Sequence, residues 1–327
     1  MPEASAHVHS TPAASAAQQC AEAVLMIRPT AFGFNAETAA SNAFQHPNDA
    51  DPAATAEKAR AEFEQLVRAL SSEGVRVIAV DDTAAPKKPD AVFPNNWVSF
   101  HACGTVVLYP MQSASRRAER RQDVIEAVVK ASGFKVSHLL DLTHYETEGR
   151  FLEGTGSLVL DHINRVAYAC ASARTHPQVV AEWARELEYE PVIFQAADSQ
   201  GVPLYHTNVL MCIGARAVVM GTEAIAVSDR QRVRAQLAAS GRQIIEISQA
   251  AIAQFAGNML ELASWDEALG DCRVLVMSGS ARRALGPEVF AQLSGCTDTV
   301  LAVPVPTIEA VGGGSVRCML AEVFVPA

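Results

Sequence analysis

The stretch Asn208–Met220, NVLMCIGARAVVM, has a polar start, an apolar run, a glycine-containing turn and a second apolar run. Two apolar runs joined by a short turn of this kind are typical of a β-hairpin. A helix at Asp229–Ser240 and a single apolar strand at Gln243–Ile247 are predicted to follow it. The stretch therefore predicts a unit with the order strand, strand, helix, strand.

The same unit is predicted to recur five times. The other hairpin stretches are Asn95–Pro110, Gly156–Cys170, Asn258–Met277 and Ser315–Phe324. The other predicted helices are Ala53–Ser72, Ser115–Ala131, His176–Glu188 and Pro287–Leu293, and the single strands are Val24–Arg28, Val75–Val80, Lys135–Leu140, Glu190–Phe194 and Thr299–Val303. The N-terminal strands and the C-terminal hairpin are expected to complete one copy together.

Such units cannot bury both faces of their sheets alone, so they are expected to pack on one another. We predict an α/β protein with a single domain at 21–327, preceded by a disordered tail at 1–20 that is rich in Ala, Ser, His and Pro. A doubly wound parallel sheet is the alternative, but it expects strands separated by helices, whereas hairpins dominate here.

Bulk composition excludes several classes of protein. The chain has 327 residues, 49% hydrophobic and 19% charged, which is typical of a globular protein. A net charge of −10 argues against a nucleic-acid partner, and no apolar stretch reaches the roughly 20 residues of a membrane-spanning helix. Seven cysteines without a CxxC or zinc-like spacing indicate a reduced, cytoplasmic protein without a bound metal.

Polar residues stand at or just before the start of each predicted unit. They are Asn95, Asn96, Glu153, His206, Asn208, Asn258 and Cys318. A cysteine, a histidine and a carboxylate delivered from equivalent places in repeated units predict one shared active site. The Gly154–Gly156 stretch matches neither GxGxxG nor GxxxxGK, the two spacings of phosphate-binding loops, so nucleotide binding is not predicted. No organic cofactor is expected.

Cys318 follows the run Gly312-Gly313-Gly314 and sits beside Arg317. Glycines permit a close backbone approach, and a thiolate near backbone N–H groups and a cation is a nucleophile. The alternative is a buried structural cysteine beside a turn. His206, at the start of an apolar strand, is a candidate general acid and base, against the alternative of a structural histidine.

Glu153 lies between apolar residues and a glycine, where a charge is costly unless it is paired or functional. It is a candidate to orient His206 or to hold a substrate N–H group. Asn95 and Asn96 follow Phe93-Pro94 and are suited to a neutral group with both donors and acceptors. A simple proline–asparagine turn is the alternative there.

Together these motifs resemble the guanidino-group-modifying superfamily, which includes arginine deiminases, dimethylarginine dimethylaminohydrolases, succinylarginine dihydrolases and amidinotransferases. The chain is most similar to the citrulline utilisation hydrolases, and the resemblance covers about residues 24–325. The motifs that carry it are Phe93–Trp97, Leu152–Ser157, Tyr205–Asn208 and Gly312–Leu320. The resemblance implies a five-bladed α/β propeller (pentein) of ββαβ units with pseudo-fivefold symmetry.

The resemblance also implies roles for single residues. Cys318 matches the nucleophile, His206 the general acid and base, and Glu153 its carboxylate partner. Asn95 or Asn96, and Asn208, match substrate-binding positions of the family. The sequence itself offers further candidates for substrate binding, which are Asp90, Arg150, Arg174, Gly313 and Gly314, with the two arginines expected to bind a substrate carboxylate and the glycines to supply backbone donors.

Asparagines stand where arginine deiminases place aspartates. A carboxylate suits a cationic guanidinium, whereas a carboxamide suits a neutral ureido group. The sequence therefore favours a cysteine-dependent hydrolase that acts on the ureido group of citrulline, giving ornithine, ammonia and carbon dioxide. Asp90 is close enough to supply a carboxylate after all, so deimination or dihydrolysis of arginine, methylarginine or a related guanidino compound is the alternative.

A ligand-binding propeller without activity is the alternative outside enzymes. The expected partner is a small molecule, and the sequence leaves a homo-oligomer open.

Overall fold

The computed structural model describes residues 18–48 and 50–325, and within them the chain forms fifteen strands and nine α-helices. The strands are Ala23–Arg28 (β1), Arg76–Asp81 (β2), Val98–Phe100 (β3), Thr105–Leu108 (β4), His138–Asp141 (β5), Leu158–Asp161 (β6), Val166–Cys170 (β7), Glu190–Phe194 (β8), Met211–Ile213 (β9), Ala217–Met220 (β10), Gln243–Glu246 (β11), Leu260–Asp266 (β12), Gly270–Ser278 (β13), Thr299–Val303 (β14) and Ala321–Val323 (β15).

The helices lie in the connections between some of these strands. They are Ala36–Ala39 (α1), Pro52–Ser72 (α2), Gln122–Ser132 (α3), Gly154–Ser157 (α4), Pro177–Glu186 (α5), Val227–Ala239 (α6), Gln249–Ile252 (α7), Gly279–Ala284 (α8) and Gly286–Ser294 (α9). None of the helices in the described part of the chain has the length and apolar character needed to cross a membrane.

Four units follow the predicted order of strand, strand, helix and strand. In the unit that starts at β9, β9 and β10 pair antiparallel, α6 follows, and β11 pairs parallel with β10. The units that start at β3, β6 and β12 have the same pairing. Antiparallel hairpins in every unit exclude the doubly wound parallel sheet.

The fifth unit joins the two ends of the chain. β15 pairs antiparallel with β1, and β2 pairs parallel with β1 after α2. The prediction of a complete C-terminal hairpin over Ser315–Phe324 is wrong, because its first half forms a 3-10 turn at Val316–Met319 and only β15 is a strand. β15 also pairs with β3, so this unit and the next form one six-stranded sheet beside three three-stranded sheets.

The mixed α/β class is as predicted, and the sheets remain four separate sheets. Hydrophobic clusters cross between units and hold them together. In one cluster, Val107 and Tyr109 near β4 pack with Leu158 of β6 and Trp183 of α5, all fully buried. A ββαβ unit therefore depends on its neighbours for part of its core, as the sequence predicts.

Helix α2 shows how local sequence determines the boundaries of an element. Asp51 caps its first turn by accepting a hydrogen bond from the Ala54 N–H group, and Pro52 occupies the first position. Phe63, Leu66 and Leu70 lie on one buried face. The chain leaves the helix at Gly74, whose φ of +74° is accessible to glycine at little cost.

The polar residues at the start of each unit do not lie in the strands. Pro94–Asn96, Thr207–Asn208–Val209 and Val316–Met319 are 3-10 turns, and α4 is a single helical turn, so the strands predicted at 95–100, 156–160 and 208–213 begin two or three residues later. Such turns direct consecutive side chains to different sides. The turn at 94–96 contacts both α4 and the turn at 316–319, which gathers the starts of several units in one place.

Residues 1–17 of the predicted tail lie outside the described residues. Its last residues, by contrast, belong to the folded part, because Gln19 and Cys20 are buried. The side-chain amide of Gln19 donates to Leu160 O at 2.9 Å and to Ile213 O at 3.1 Å. The boundary of the folded part therefore lies before residue 20.

Candidate active site

A small cavity lies where the starts of the units meet. Its lining consists of Thr38, Asn42, Asp90, Phe93, Asn96, Arg116, Arg174, Tyr205, His206, Gly312, Gly313, Gly314 and Cys318. The cavity has a volume of about 20 Å³, which is room for about one water molecule. An amino-acid substrate needs more space than this.

Cys318 lies in the turn at 316–319 and is 3% exposed. Its Sγ atom accepts a hydrogen bond from Asn258 Nδ2 at 3.3 Å, and the carboxamide of Asn208 lies beside it, with Nδ2 at 3.7 Å. The sequence predicts that the charge of Arg317 lies near the thiol, but the structure places it elsewhere. The Arg317 guanidinium donates to Leu320 O and pairs with Glu322 at 2.7 Å. Asparagine amides are thus the polar neighbours of the sulfur.

The glycine run brings backbone close to aromatic rings and to Cys318. A Cβ atom on Gly314 would lie 2.9 Å from the Phe93 ring, and Gly313 has a φ of +64°. The Gly313 N–H group donates to Glu309 O at 3.0 Å, and its carbonyl accepts from Tyr205 and Asn42. All three glycines line the cavity beside Cys318, and the N–H and carbonyl groups of Gly313 are already engaged within the protein.

His206 and Glu153 form a buried pair, with 2.9 Å between His206 Nε2 and Glu153 Oε2. Glu153 also accepts from Gln112 N at 3.1 Å and from Arg174 Nη1 at 3.4 Å. Burial alone would raise the pKa of Glu153, but the charge of Arg174 and the bond from His206 hold it well below its usual range. Glu153 is therefore ionised.

Burial lowers the pKa of His206 to about 4, and the carboxylate of Glu153 offsets only part of that shift. His206 is thus neutral near pH 7. Because an ionised carboxylate only accepts hydrogen bonds, Nε2 carries the proton and Nδ1 retains a lone pair. Gly156 allows this packing, since a Cβ atom there would lie 2.7 Å from His206 Nδ1.

The three predicted asparagines occupy different places. Asn96 lines the cavity; its Oδ1 atom accepts from Arg116 at 2.8 Å and its Nδ2 atom donates to Asn95. Asn95 lies behind it, and its buried Nδ2 atom has no hydrogen-bond partner among the described residues. Asn208 also lies behind the cavity, where Nδ2 donates to Thr155 O at 3.2 Å.

Asp90 lines the cavity and is held by its neighbours. Asn35 Nδ2 donates to Asp90 Oδ2 at 2.7 Å, and Arg116 Nε lies 3.9 Å away. Burial raises the pKa of Asp90, although Arg116 opposes that shift. A carboxyl group is thus present at the cavity wall, beside an arginine of the protein.

Arg116 is a cavity residue that the sequence analysis does not select. It is buried, and besides Asn96 it binds Glu119 through Nε and Nη2, each at 2.9 Å. The sequence does contain a pattern that could have identified Arg116. Small residues precede it in the run Ser113–Arg116, as they precede Arg174 in the run Ala171–Arg174. Both runs follow a hairpin, so the two arginines occupy equivalent places in adjacent units.

The two predicted arginines differ in position. Arg174 lines the cavity and stacks on the Tyr205 ring, with 5.1 Å from its guanidinium carbon to the ring centre. The structure does not bring Arg150 there: it lies partly exposed and pairs with Glu148 at 2.8 Å. Arg150 follows a surface 3-10 turn at Thr143–Glu148, which keeps its charge in solvent.

A segment between β1 and α2 covers the cavity, and we call residues 32–48 the cover segment. Arg174 donates to Thr38 O at 2.8 Å and to Ser41 Oγ at 3.0 Å, and Asn42 donates to Gly313 O at 3.0 Å. The cover segment therefore closes the site through a few hydrogen bonds. In the described part of the chain, no group of three or more His, Cys, Asp or Glu side chains is placed to hold a metal ion.

Three solved structures share this fold. The N-terminal domain of ArgZ, an arginine dihydrolase from the ornithine–ammonia cycle in Cyanobacteria, has a TM-score of 0.70 at 16% identity over 93% of this chain and 98% of that one. Unliganded AgrE has a TM-score of 0.70 at 18% identity, over 93% of this chain and 39% of that one. DDAH from Pseudomonas aeruginosa, complexed with citrulline, has a TM-score of 0.63 at 16% identity, over 93% and 99%.

No curated protein shows a significant sequence match to this chain. The sequence model of one family does match it, over residues 28–325 of 327. The family and the shared folds confirm the resemblance to the guanidino-group-modifying superfamily. Because the match spans nearly the whole chain, the protein belongs to the family described as N,N dimethylarginine dimethylhydrolase, eukaryotic.

Proposed function

We propose that the protein is a cysteine-dependent hydrolase that cleaves a C–N bond of a guanidino compound of the arginine class. The observation that carries the proposal is the meeting of Cys318 and the His206–Glu153 pair at one buried cavity. These three residues have the roles of a catalytic triad: Cys318 is the nucleophile, the neutral His206 is the general base, and the ionised Glu153 orients His206.

In the first step His206 takes the thiol proton of Cys318, and the sulfur attacks the guanidinium carbon to give a tetrahedral adduct. His206 then returns the proton to the departing nitrogen, the C–N bond breaks, and an amine leaves. A water molecule deprotonated by His206 attacks the remaining thiol-bound carbon, the C–S bond breaks to release the hydrolysed product, and His206 returns the proton to the Cys318 sulfur. Glu153 stabilises the imidazolium that forms in each half-reaction.

The family and the neighbours support guanidino chemistry. The family description names a dimethylarginine hydrolase, and ArgZ is named an arginine dihydrolase. A variant of the same ArgZ domain is described as covalently bonded to a reaction intermediate. Covalent catalysis is consistent with the place of Cys318 in this chain.

The ureido group of citrulline is a second candidate substrate, and the cavity wall favours it. Asn96 presents a carboxamide to the cavity, and the carboxylate of Asp90 is already held by Asn35 and Arg116. A neutral ureido group needs both a donor and an acceptor and no carboxylate partner. Guanidino compounds remain the first candidate, because the family description names dimethylarginine and the description of ArgZ names arginine.

The deciding experiment is a substrate panel of arginine, asymmetric dimethylarginine and citrulline, with ornithine, citrulline, ammonia and dimethylamine measured as products. We expect turnover of at least one guanidino compound, and its loss in a Cys318→Ser variant that retains the circular dichroism spectrum of the wild type. Turnover by Cys318→Ser at the wild-type rate would overturn the nucleophile. Turnover of citrulline alone would replace the first candidate by the second.

Asn96→Asp separates the two candidates further. An aspartate there should raise the ratio of guanidino to ureido turnover by about tenfold, because a charge-assisted bond to a cation is stronger than a neutral one. The exposed Glu148→Gln variant, remote from the cavity, should leave the ratio unchanged. A ligand-binding propeller without activity would show binding of a panel compound and no product.

The arrangement of the five units as the blades of a propeller is part of the proposal, as is a single catalytic domain over 21–327. The alternating ββαβ units and the join of β15 with β1 support it. Seven free thiols are consistent with a reducing cytoplasmic location.

A further inference from the structure

We propose that Asn258 is a positioning residue for the nucleophile, which holds the Cys318 sulfur and favours its ionised form. The proposal rests on Cys318 being the nucleophile and adds a residue to which no role has been assigned. Asn258 is fully buried and lies two residues before the first residue of β12, at the start of the fourth unit.

Asn258 joins three groups. Its Nδ2 atom donates to Cys318 Sγ at 3.3 Å and to Asn208 O at 3.1 Å, and its Oδ1 atom accepts from the Arg317 N–H group at 3.1 Å. Both ends of the carboxamide are thus engaged with the turn that carries the cysteine.

The partners determine which end of the amide faces the sulfur. The Arg317 N–H group is a donor and requires the amide oxygen, and Asn208 O is an acceptor and requires the amide nitrogen. The NH₂ group therefore points at Cys318. A donor stabilises a thiolate more than a thiol, because hydrogen bonds to charged groups are stronger than those to neutral groups.

Among the described residues, no Lys or Arg side chain makes a hydrogen bond to Cys318 Sγ. Arg317, the nearest charged residue in sequence, is turned to Glu322 and Leu320 O. Asn208 lies farther from the sulfur, at 3.7 Å for Nδ2, and also donates to Thr155 O. Asn258 provides the shortest hydrogen bond to Cys318 Sγ among the described residues.

Asn258 also stands apart from the substrate. It does not line the cavity, so its effect should reach the reaction through Cys318 alone. Its replacement should therefore lower kcat while KM changes by less than about twofold.

The test is the rate of alkylation of Cys318 by iodoacetamide, followed by peptide mass spectrometry, in wild type and in Asn258→Asp. Asp keeps the acceptor for the Arg317 N–H group and replaces the donor at the sulfur by an oxygen. The exposed Cys103 serves as the internal control in every sample. We expect the Cys318-to-Cys103 rate ratio to fall about tenfold at pH 7, and to return to within twofold of wild type at pH 10, where thiols are largely ionised.

An unchanged ratio at pH 7, or an equal fall at both pH values, would overturn the proposal, because a purely structural role changes access and not ionisation. If Asn258→Asp does not fold, Asn258→Ser is used with the same expected direction. Failure of both variants to fold would assign Asn258 to structure alone and would also overturn the proposal. The alkylation experiment uses no substrate. Its result can therefore be interpreted even if none of the panel compounds is turned over.

Discussion

At the scale of single residues, the charge of Glu153 has a clear consequence for the reaction. Glu153 is fully buried, and its ionised form is maintained by Arg174 and His206. Its carboxylate both orients His206 and raises the His206 pKa, which burial otherwise lowers. Replacing it changes the rate and the pH dependence together.

We predict that Glu153→Gln lowers kcat about 100-fold, because general acid and base catalysis by a positioned group contributes at least this much. In wild type, kcat/KM should fall as the pH drops through about 4, where His206 gains a proton and ceases to be a base. Removal of the carboxylate lowers the His206 pKa further, so the acid limb of Glu153→Gln should move to lower pH. Steady-state kinetics from pH 3.5 to 8 measure both effects.

The surface variant Glu148→Gln controls for loss of charge alone, since Glu148 is exposed and pairs with Arg150. A wild-type rate for Glu153→Gln, or an acid limb displaced to higher pH, would contradict the pairing with His206.

Candidate site residues could be found in the sequence where a residue type that is costly to bury without a partner stands in an apolar or glycine-rich stretch. Glu153 between apolar neighbours and Cys318 after three glycines carried such signals, and both lie at the cavity or directly behind it. Arg116 was not selected, because an arginine after a hairpin is usually a surface residue. Its role comes from Asn96 and Glu119, which approach it only in the fold.

At the scale of elements, the cover segment determines access to the site. The cavity of about 20 Å³ is too small for an amino-acid substrate, and Thr38 and Asn42 of the cover segment line it, so we expect residues 32–48 to move when substrate enters. The hydrogen bond from Asn42 to Gly313 O joins the cover segment directly to the glycine run. A neutral hydrogen bond contributes about 0.5–1.5 kcal/mol, so its loss shifts the balance between closed and open forms several-fold.

We predict that Asn42→Ala raises the rate of alkylation of Cys318 about fivefold, because the cover segment opens more often. The matched control is Asn48→Ala in the same segment, whose side chain donates to Thr55 at the start of α2 and not to the cavity wall. Peptide mass spectrometry after iodoacetamide treatment measures the rate. Equal rates for wild type and Asn42→Ala would show that this bond does not limit access.

The regular helices and strands followed from the sequence, and the turns that carry the site did not. Helix α2 matches its prediction at nearly every residue, because its buried side chains recur at helical spacing, and strand β14 matches as a short apolar run. The turns at 94–96, 207–209 and 316–319 were predicted as the first residues of strands. A three-residue turn has no period of its own, and its form depends on contacts with turns of other units.

At the scale of the whole molecule, the two ends of the chain complete one unit together. β15 and β1 come from opposite ends of the sequence and pair directly, so this unit forms only when both of these segments are in place. This join was expected from the sequence, whereas the attachment of the residues before β1 was not. A polar residue such as Gln19, in a stretch rich in small residues, carries no hydrophobic signal.

Gln19 connects two units in the folded protein. Besides donating to Leu160 O and Ile213 O, its Oε1 atom accepts from the His162 N–H group and from Arg242. These groups belong to the units that begin at β6 and β9, or to the turns next to them. Gln19→Ala leaves buried polar groups without their partner, at a cost of about 2–3 kcal/mol after partial replacement by water.

We therefore predict a lower urea midpoint for Gln19→Ala, with activity at 25 °C within twofold of wild type because Gln19 is remote from the cavity lining. Gln18→Ala, at an exposed neighbouring position, should unfold at the wild-type midpoint. Equal midpoints for all three proteins would mean that the bonds of Gln19 add nothing to stability. A midpoint lowered in Gln19→Ala alone would show that the folded part begins before residue 20 and that its first residues stabilise the contact between two units.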